Sequence, residues 1–186
     1  MRLIGGVWKR RKLPVPDAPG LRPTPDRLRE TLFNWLGQDL SGWRCLDAFA
    51  GSGALGFEAA SRGAAEVLLL ERDARLAAGL REVQANLGAT TVQVECADAL
   101  AWLSRGDAAR FDLVLLDPPF DAALWTAALT QAVPRLADDG WLYLEADRPF
   151  GADALGPLGL ALHRHARVGQ VHGHLLRRAG PPVPSA

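Results

Sequence analysis

The stretch that decides the fold is RCLDAFAGSGALG, residues 44–56. Its apolar beginning ends at Asp47, and Gly51, Gly53 and Gly56 follow with the spacing G-x-G-x-x-G. This pattern is typical of a tight turn from a β-strand into an α-helix, where glycine lets the backbone approach a ligand and point amide groups at it. Taken alone, it also fits an ordinary strand-to-helix turn or a dinucleotide-binding oxidoreductase.

From residue 44 onward, strands and helices alternate along the chain. Strands are predicted at 44–49, 66–71, 91–97, 111–117, 141–146, 160–167 and 170–177. Helices are predicted near 54–62, 74–87, 99–105 and 122–137. Residues 67–70 and 113–116 are apolar without alternation, as in strands buried on both faces. We therefore predict an α/β fold with a mostly parallel, doubly wound sheet and an antiparallel hairpin at its C-terminal edge.

The N-terminal region differs from this pattern. Short extended pieces broken by Gly5-Gly6 predict a small arm or hairpin, and a helix follows with Thr24 as its N-cap and Pro25 at its first position. We expect three parts: an N-terminal appendage (residues 1–40), the main domain (41–179) and a loose tail (180–186).

Length and composition exclude several classes of protein. The 186 residues suffice for one domain with a sizeable core. The two cysteines form no CxxC pair, no apolar run reaches the ~18 residues of a membrane span, and the N-terminus lacks a signal-peptide pattern. We expect a monomeric cytoplasmic protein without a membrane contact.

Positive charge is concentrated at the two ends of the chain. The whole chain has 21 basic and 21 acidic residues, but residues 1–30 carry a net charge of +5 and residues 161–186 a net charge of +4. Such clustering favours a nucleic-acid partner, although a basic terminus can also be merely solvated.

Three acids follow the first three predicted strands. Asp47 precedes the glycine loop, where a carboxylate disfavours a pyrophosphate and suits a cationic, amino-bearing ligand such as S-adenosylmethionine. Glu71 can accept two ribose hydroxyls, and Asp98 can reach an adenine amino group. A helix cap is the alternative explanation for Asp98. Together the acids predict a negative crevice at the usual ligand position of an open α/β sheet.

The fourth strand ends in Asp117-Pro118-Pro119-Phe120. Two prolines make a rigid turn, but a turn alone does not explain the acid before them or the aromatic ring after them. Methylation of an exocyclic amine explains both. Asp117 and the Pro118 carbonyl can accept the amine hydrogens, and Phe120 can stack on a flipped-out base. Direct in-line transfer by positioning is expected, without a covalent intermediate.

The glycine loop and this tetrapeptide resemble the Rossmann-like, class I S-adenosylmethionine-dependent amino-methyltransferases. Further segments narrow the resemblance to the RsmD family of bacterial 16S rRNA (guanine-966-N2)-methyltransferases. They are RLIGG (2–6), GLRPT (20–24), DRLRE (26–30), FNWL (33–36) and GQV (169–171). The resemblance implies S-adenosyl-L-methionine as the cofactor, and 16S rRNA or an assembling small ribosomal subunit as the partner. Pro25 departs from the family pattern.

Residue roles follow from the resemblance by position. The implied cofactor-binding residues are Asp47, Phe49, Gly51, Gly53, Glu71, Asp98 and Ala99. The implied catalytic residues are Asp117, Pro118, Pro119 and Phe120. The implied RNA-binding residues are Arg2, Trp8, Arg10, Arg11, Arg22, Thr24, Arg27 and Arg29.

Three other functions remain open at this point. They are amino-methylation of adenine N6 in RNA or DNA, NAD(P)-dependent oxidoreduction, and RNA binding without catalysis.

The terminal hairpin carries all four histidines. A turn at Val168-Gly169 would pair His165 with His172 and His163 with His174. We interpret them as exposed strand residues and predict no metal site.

Overall fold

The computed structural model describes residues 1–15, 24–105, 110–119 and 122–180. One seven-stranded sheet runs through it, in the order β3-β2-β1-β4-β5-β7-β6. The strands are β1 (Arg44–Asp47), β2 (Glu66–Glu71), β3 (Val92–Cys96), β4 (Phe111–Leu116), β5 (Leu136–Ala146), β6 (Leu160–Val168) and β7 (Val171–Arg178). The helices are α1 (Asp26–Leu36), α2 (Ala54–Ser61), α3 (Ala74–Leu87), α4 (Ala99–Leu103), α5 (Ala122–Ala132) and α6 (Ala152–Leu155).

The sheet is parallel except for β7, which pairs antiparallel with both β5 and β6. This arrangement confirms the predicted fold class and its edge hairpin. The helix predicted at 122–137 is shorter, because a 3-10 turn with Pro134 follows Ala132 and proline cannot continue an α-helix. β5 therefore begins at Leu136 instead of Trp141.

Helices cover both faces of the sheet. On one face α1, α2 and α3 bury side chains such as Leu28, Phe57 and Leu80. On the other face α4, α5 and α6 bury side chains such as Leu103 and Trp125. Central strands are therefore apolar on both sides, which explains the runs without alternation. Within the described ranges, every helix is too short or too polar to cross a bilayer.

The N-terminal arm, residues 1–13, closes on itself through an antiparallel bridge between Arg2 and Lys12. It docks on the C-terminal end of α2, where the Val7 amide donates to the Ser61 carbonyl at 2.7 Å. Gly6 has φ +71°, and a Cβ there would lie 1.7 Å from the Ser61 oxygen. Leu3 of the arm is buried in the same core as α1 and α2. The domain division at residue 40 stays a prediction, and the predicted tail lies outside the described residues from 181 onward.

The start of α1 differs from the prediction. Pro25, not Thr24, occupies the N-cap position, and Asp26 is the first helical residue. The Thr24 side chain makes no cap; its hydroxyl hydrogen-bonds Glu145 of β5 instead. Thr24 therefore bonds to a residue distant in the sequence instead of to the first amides of α1.

Candidate active site

Four neighbouring parallel strands each carry an acid at the carboxyl edge of the sheet. The acids are Glu71 (β2), Asp47 (β1), Asp117 (immediately after β4) and Glu145 (β5). Side chains alternate along a strand, and all four acids fall on the α1–α3 side, as do the buried Cys45, Leu69, Leu115 and Tyr143 two residues before them. The sheet therefore gathers them into one crevice.

A cavity of about 770 Å³ lies at this edge. Its size is in the range of small-molecule and cofactor sites. Nine of the predicted cofactor and amine-binding residues line it: Asp47, Phe49, Gly51, Glu71, Asp98, Ala99, Asp117, Pro118 and Pro119. Phe120 lies outside the described residues. The structure thus brings the two predicted sets of residues to one space.

The glycines of the loop have different tasks. Gly51 lines the cavity at φ +50°. Gly53 does not line it; at φ +76° it begins α2, and a Cβ there would meet Phe57 and Leu80 within 2.7 Å. Gly56 permits helix–sheet contact, because its Cβ would lie 2.1 Å from Leu69. Only the first glycine is thus placed for ligand contact.

Glu71 and Asp98 hold backbone amides at the cavity wall. Glu71 accepts from the Gly51 amide at 2.9 Å and from the Asp73 amide at 2.8 Å. Asp98 caps α4 by accepting from the Ala101 amide at 2.8 Å, so the helix-cap explanation is confirmed. A carboxylate has about four acceptor positions, so each group can still bind a ligand hydroxyl or amine.

The acids deeper in the crevice are crowded. Burial raises the pKa of Asp47 to about 7, with Glu71 adding to the rise and the Gly56 amide at 2.9 Å opposing it. Burial and then the charges of Glu145 and Asp47 raise the pKa of Asp117 well above its usual range. The crevice therefore concentrates negative charge and favours cationic ligands and hydrogen-bond donors.

Glu145 is a candidate site residue that sequence reasoning missed. It lines the cavity, is only 2% exposed, and accepts a hydrogen bond from the Tyr143 hydroxyl at 3.1 Å and one from Thr24. Burial raises the pKa of Glu145 to about 7. The available signal was the acid near the end of the fifth strand, the same signal that identified Asp47 and Glu71 on earlier strands.

The predicted RNA-binding residues divide between the surface and the interior. The exposed ones are Arg2, Arg10, Arg11 and Arg27. Trp8 is half-buried against the core, and Thr24 lies in the crevice. Arg22 lies outside the described residues.

The prediction that Arg29 faces RNA is wrong. Its side chain is fully buried, and Nη2 donates to the Arg2 carbonyl at 2.9 Å and to Asp26 at 2.6 Å. Nη1 lies 3.8 Å from Glu58. Arg29 instead joins the N-terminal arm, α1 and α2.

The histidines of the hairpin adopt a different register from the predicted one. His165 pairs with His174 in the strand register. The register shifts at His163, whose ring lies next to that of Trp141 with centroids 4.8 Å apart. His172 and His174 are buried, so the prediction of exposure is wrong for them. His174 accepts the Phe150 amide at 3.0 Å and donates to the Leu144 carbonyl at 3.2 Å. Burial lowers the pKa of His174 to about 4, consistent with this neutral ring.

The sheet order, its single antiparallel strand and the crevice at the carboxyl edge define the Rossmann-like fold of the class I methyltransferases. A solved structure described as "Putative methyltransferase yhhF from Escherichia coli" has this fold. It matches with a TM-score of 0.83 and 38% identity, covering 97% of this chain and 99% of that one.

The chain belongs to the family described as "Conserved hypothetical protein 95", whose model matches residues 1–177. It is 43% identical over 184 residues to "Ribosomal RNA small subunit methyltransferase D" of Escherichia coli (strain K12), covering 96% of this chain and 90% of the relative. The relative of the same name from Haemophilus influenzae is 44% identical over 145 residues, 76% of this chain and 73% of the relative. The resemblance to the RsmD family is confirmed.

Proposed function

We propose that this protein transfers a methyl group from S-adenosylmethionine to the exocyclic N2 amine of a guanine in 16S rRNA, at position 966. The observation that carries the proposal is the location of Asp117 and its two prolines at the crevice that also holds the predicted cofactor residues. The names of the relatives support the rRNA substrate.

The residues of the crevice fit this cofactor. Asp47 is a carboxylate whose pKa is raised by burial and by the nearby Glu71, and an amino-bearing cationic ligand would stabilise its charged form. Glu71 keeps acceptor positions for ribose hydroxyls, and Asp98 keeps them for an adenine amine. When bound, the cofactor supplies an electrophilic methyl group on a sulfonium.

Asp117 and the Pro118 carbonyl accept the two hydrogens of the target amine. The amine lone pair, otherwise delocalised into the base, then points at the methyl group. Formation of the N–C bond would break the S–C bond of the sulfonium and release a neutral thioether, so the positive charge passes to the amine nitrogen. That nitrogen then loses one proton to a neighbouring carboxylate or to water. The neighbouring carboxylates favour this change because they stabilise developing positive charge. Phe120 holds the base by stacking.

The exposed arginines of the arm and α1 contact the RNA backbone. The side chains that supply this positive charge are exposed, so they can reach phosphate groups: Arg2, Arg10, Arg11 and Arg27. We propose 16S rRNA within an assembling small subunit as the partner.

Mapping the modified nucleoside tests this function. Small-subunit rRNA and particles from cells lacking the gene are incubated with labelled cofactor and purified protein, and the labelled nucleoside is identified and located. We expect N2-methylguanosine at position 966. N6-methyladenosine would support the alternative amino-methyltransferase. Calorimetric binding of NAD(P) without binding of S-adenosylmethionine would support an oxidoreductase.

A further inference from the structure

Asp117 and Glu145 lie side by side in the crevice. Leu115 pairs with Tyr143 and Leu116 with Leu144, so the next positions of β4 and β5 bring Asp117 and Glu145 into one row on one face. Neighbouring strands are about 4.8 Å apart, so the two carboxyl groups face the same small volume. Both line the cavity.

Glu145 is held in a fixed position but carries no paired cation. The Tyr143 hydroxyl and the Thr24 hydroxyl orient it from two sides. Among the described residues, no Lys, Arg or His nitrogen forms a salt bridge with Glu145; Arg29 directs its short contacts to Arg2 and Asp26 instead.

An unpaired buried carboxylate beside a second one is costly to folding. Burial and the nearby carboxylates raise the pKa of both groups, although the Tyr143 and Thr24 hydroxyls and the charge of Arg29 oppose the rise at Glu145. A ligand that brings two adjacent N–H donors relieves this cost. The Watson–Crick edge of guanine presents such a pair, N1–H and the N2 amine, whereas the N1 of adenine is an acceptor.

We propose, on the basis of the proposed guanine-N2 activity, that Glu145 accepts the N1–H of the target guanine while Asp117 accepts from its N2 amine. Glu145 is then the residue that selects guanine. Adenine would place the lone pair of its N1 against the Glu145 carboxylate. Two acceptors would then face each other without a proton between them, which disfavours binding of adenine. Thr24 and Tyr143 are positioning residues that act through Glu145.

The base analogue 2-aminopurine keeps the 2-amine and lacks both N1–H and O6, so the change of preference on substituting Glu145 separates a contact with N1–H from a structural role. RNA fragments are ligated so that the target guanine of 16S rRNA is replaced by 2-aminopurine, and kcat/KM is measured for both RNAs. We expect the wild-type protein to prefer guanine by about 10- to 100-fold. Glu145→Gln should reduce this preference about tenfold, because its amide can donate to the N1 of 2-aminopurine.

Glu82→Gln is the matched control, since Glu82 is exposed on α3 and should leave the preference unchanged. S-adenosylmethionine affinity and melting temperature report whether Glu145→Gln is folded. Equal rates of the wild-type protein on both RNAs would overturn the proposal, whatever the variant does. So would a Glu145→Gln protein that is slower on both RNAs with an unchanged preference. Failure of the proposed function is distinct: the wild-type protein would not methylate the guanine RNA.

Discussion

Two regions of the molecule bury charged groups in opposite ways. At the arm anchor, which we define as Glu58, Arg29 and Arg62, one acid lies between two guanidinium groups, at 2.8 Å from Arg62 and 3.8 Å from Arg29. In the crevice, Asp117 lies near Glu145 and Asp47, and Glu145 forms no salt bridge among the described residues, although the charge of Arg29 partly offsets that of Asp47 on it. A buried charge surrounded by opposite charge holds the fold together, whereas buried like charges are available to a ligand.

The arm anchor also explains the RLIGG segment. Glu58 accepts the backbone amides of Ile4 and Gly5, both at 2.8 Å. A Cβ at Gly5 would lie 2.5 Å from the Arg62 guanidinium. This segment, which contributed to the rRNA assignment, therefore serves in large part to dock the arm on α2.

The largest expected effect is at the crevice. Asp117→Ala should lower kcat for methyl transfer by about 10²–10⁴-fold, because it removes an acceptor for the target amine. Cofactor affinity should stay within about twofold in calorimetry, since the predicted cofactor residues lie on β1, in the loop after it, on β2 and at the start of α4. Asp153→Ala is the control, because Asp153 is exposed on α6 and its substitution should leave kcat unchanged. Unchanged turnover would remove Asp117 from the mechanism.

At the arm anchor the expected effect is on stability. Glu58→Ala removes the acceptor of the Arg62 guanidinium and of two backbone amides, and the opposite charge 3.8 Å from buried Arg29, so the free energy of unfolding should fall by about 3–5 kcal/mol. Denaturant titration measures this loss. Glu82→Ala should change it by less than about 0.5 kcal/mol, because the Glu82 side chain is exposed on α3. A Glu58→Ala protein of wild-type stability would contradict the anchor.

Removing a charge from the crevice should increase the free energy of unfolding, whereas removing one from the arm anchor decreases it. The raised pKa of folded Asp117 means that the native state keeps a proton that the unfolded chain releases above about pH 4, so native stability falls as pH rises. Asp117→Asn should therefore raise the free energy of unfolding at pH 8 by about 1 kcal/mol, and the gain should vanish near pH 4. Denaturant titrations at both pH values test this. Destabilisation at pH 8 would show that the Asp117 carboxylate is structurally paired.

The smallest effect is expected at the exposed basic residues. Arg10→Ala removes one phosphate contact, so RNA affinity should fall a few-fold and the slope of log K against log salt should decrease by about 1. Titrations at several salt concentrations measure it. Arg81→Ala should leave the slope unchanged, because Arg81 is an exposed arginine of α3 outside the arm and α1. Equal slopes for all three proteins would exclude Arg10 from the RNA surface.

Prediction from sequence succeeded where a signal is local. The strand at 66–71, the strand predicted at 111–117 and observed at 111–116, the helix at 74–87 and the glycine turn follow from neighbouring residues alone. Failures came where a residue has two possible partners. Thr24 has the spacing of an N-cap but hydrogen-bonds Glu145, which lies 121 positions later in the chain.

The arrangement of apolar runs, glycines and acids was enough to predict a Rossmann-like sheet with acids at the carboxyl ends of its strands, since backbone alternation and turn geometry are short-range properties. Packing between distant segments determined which charges are used inside the protein and which face a ligand. Arg29, next to Leu28, has the sequence context of a surface residue, but in the fold it is buried close to Glu58. Glu145 comes next to Asp117 only because β5 pairs with β4. The energy of a charge interaction depends on the distance between the groups and on their burial, and the separation of two residues along the chain specifies neither quantity.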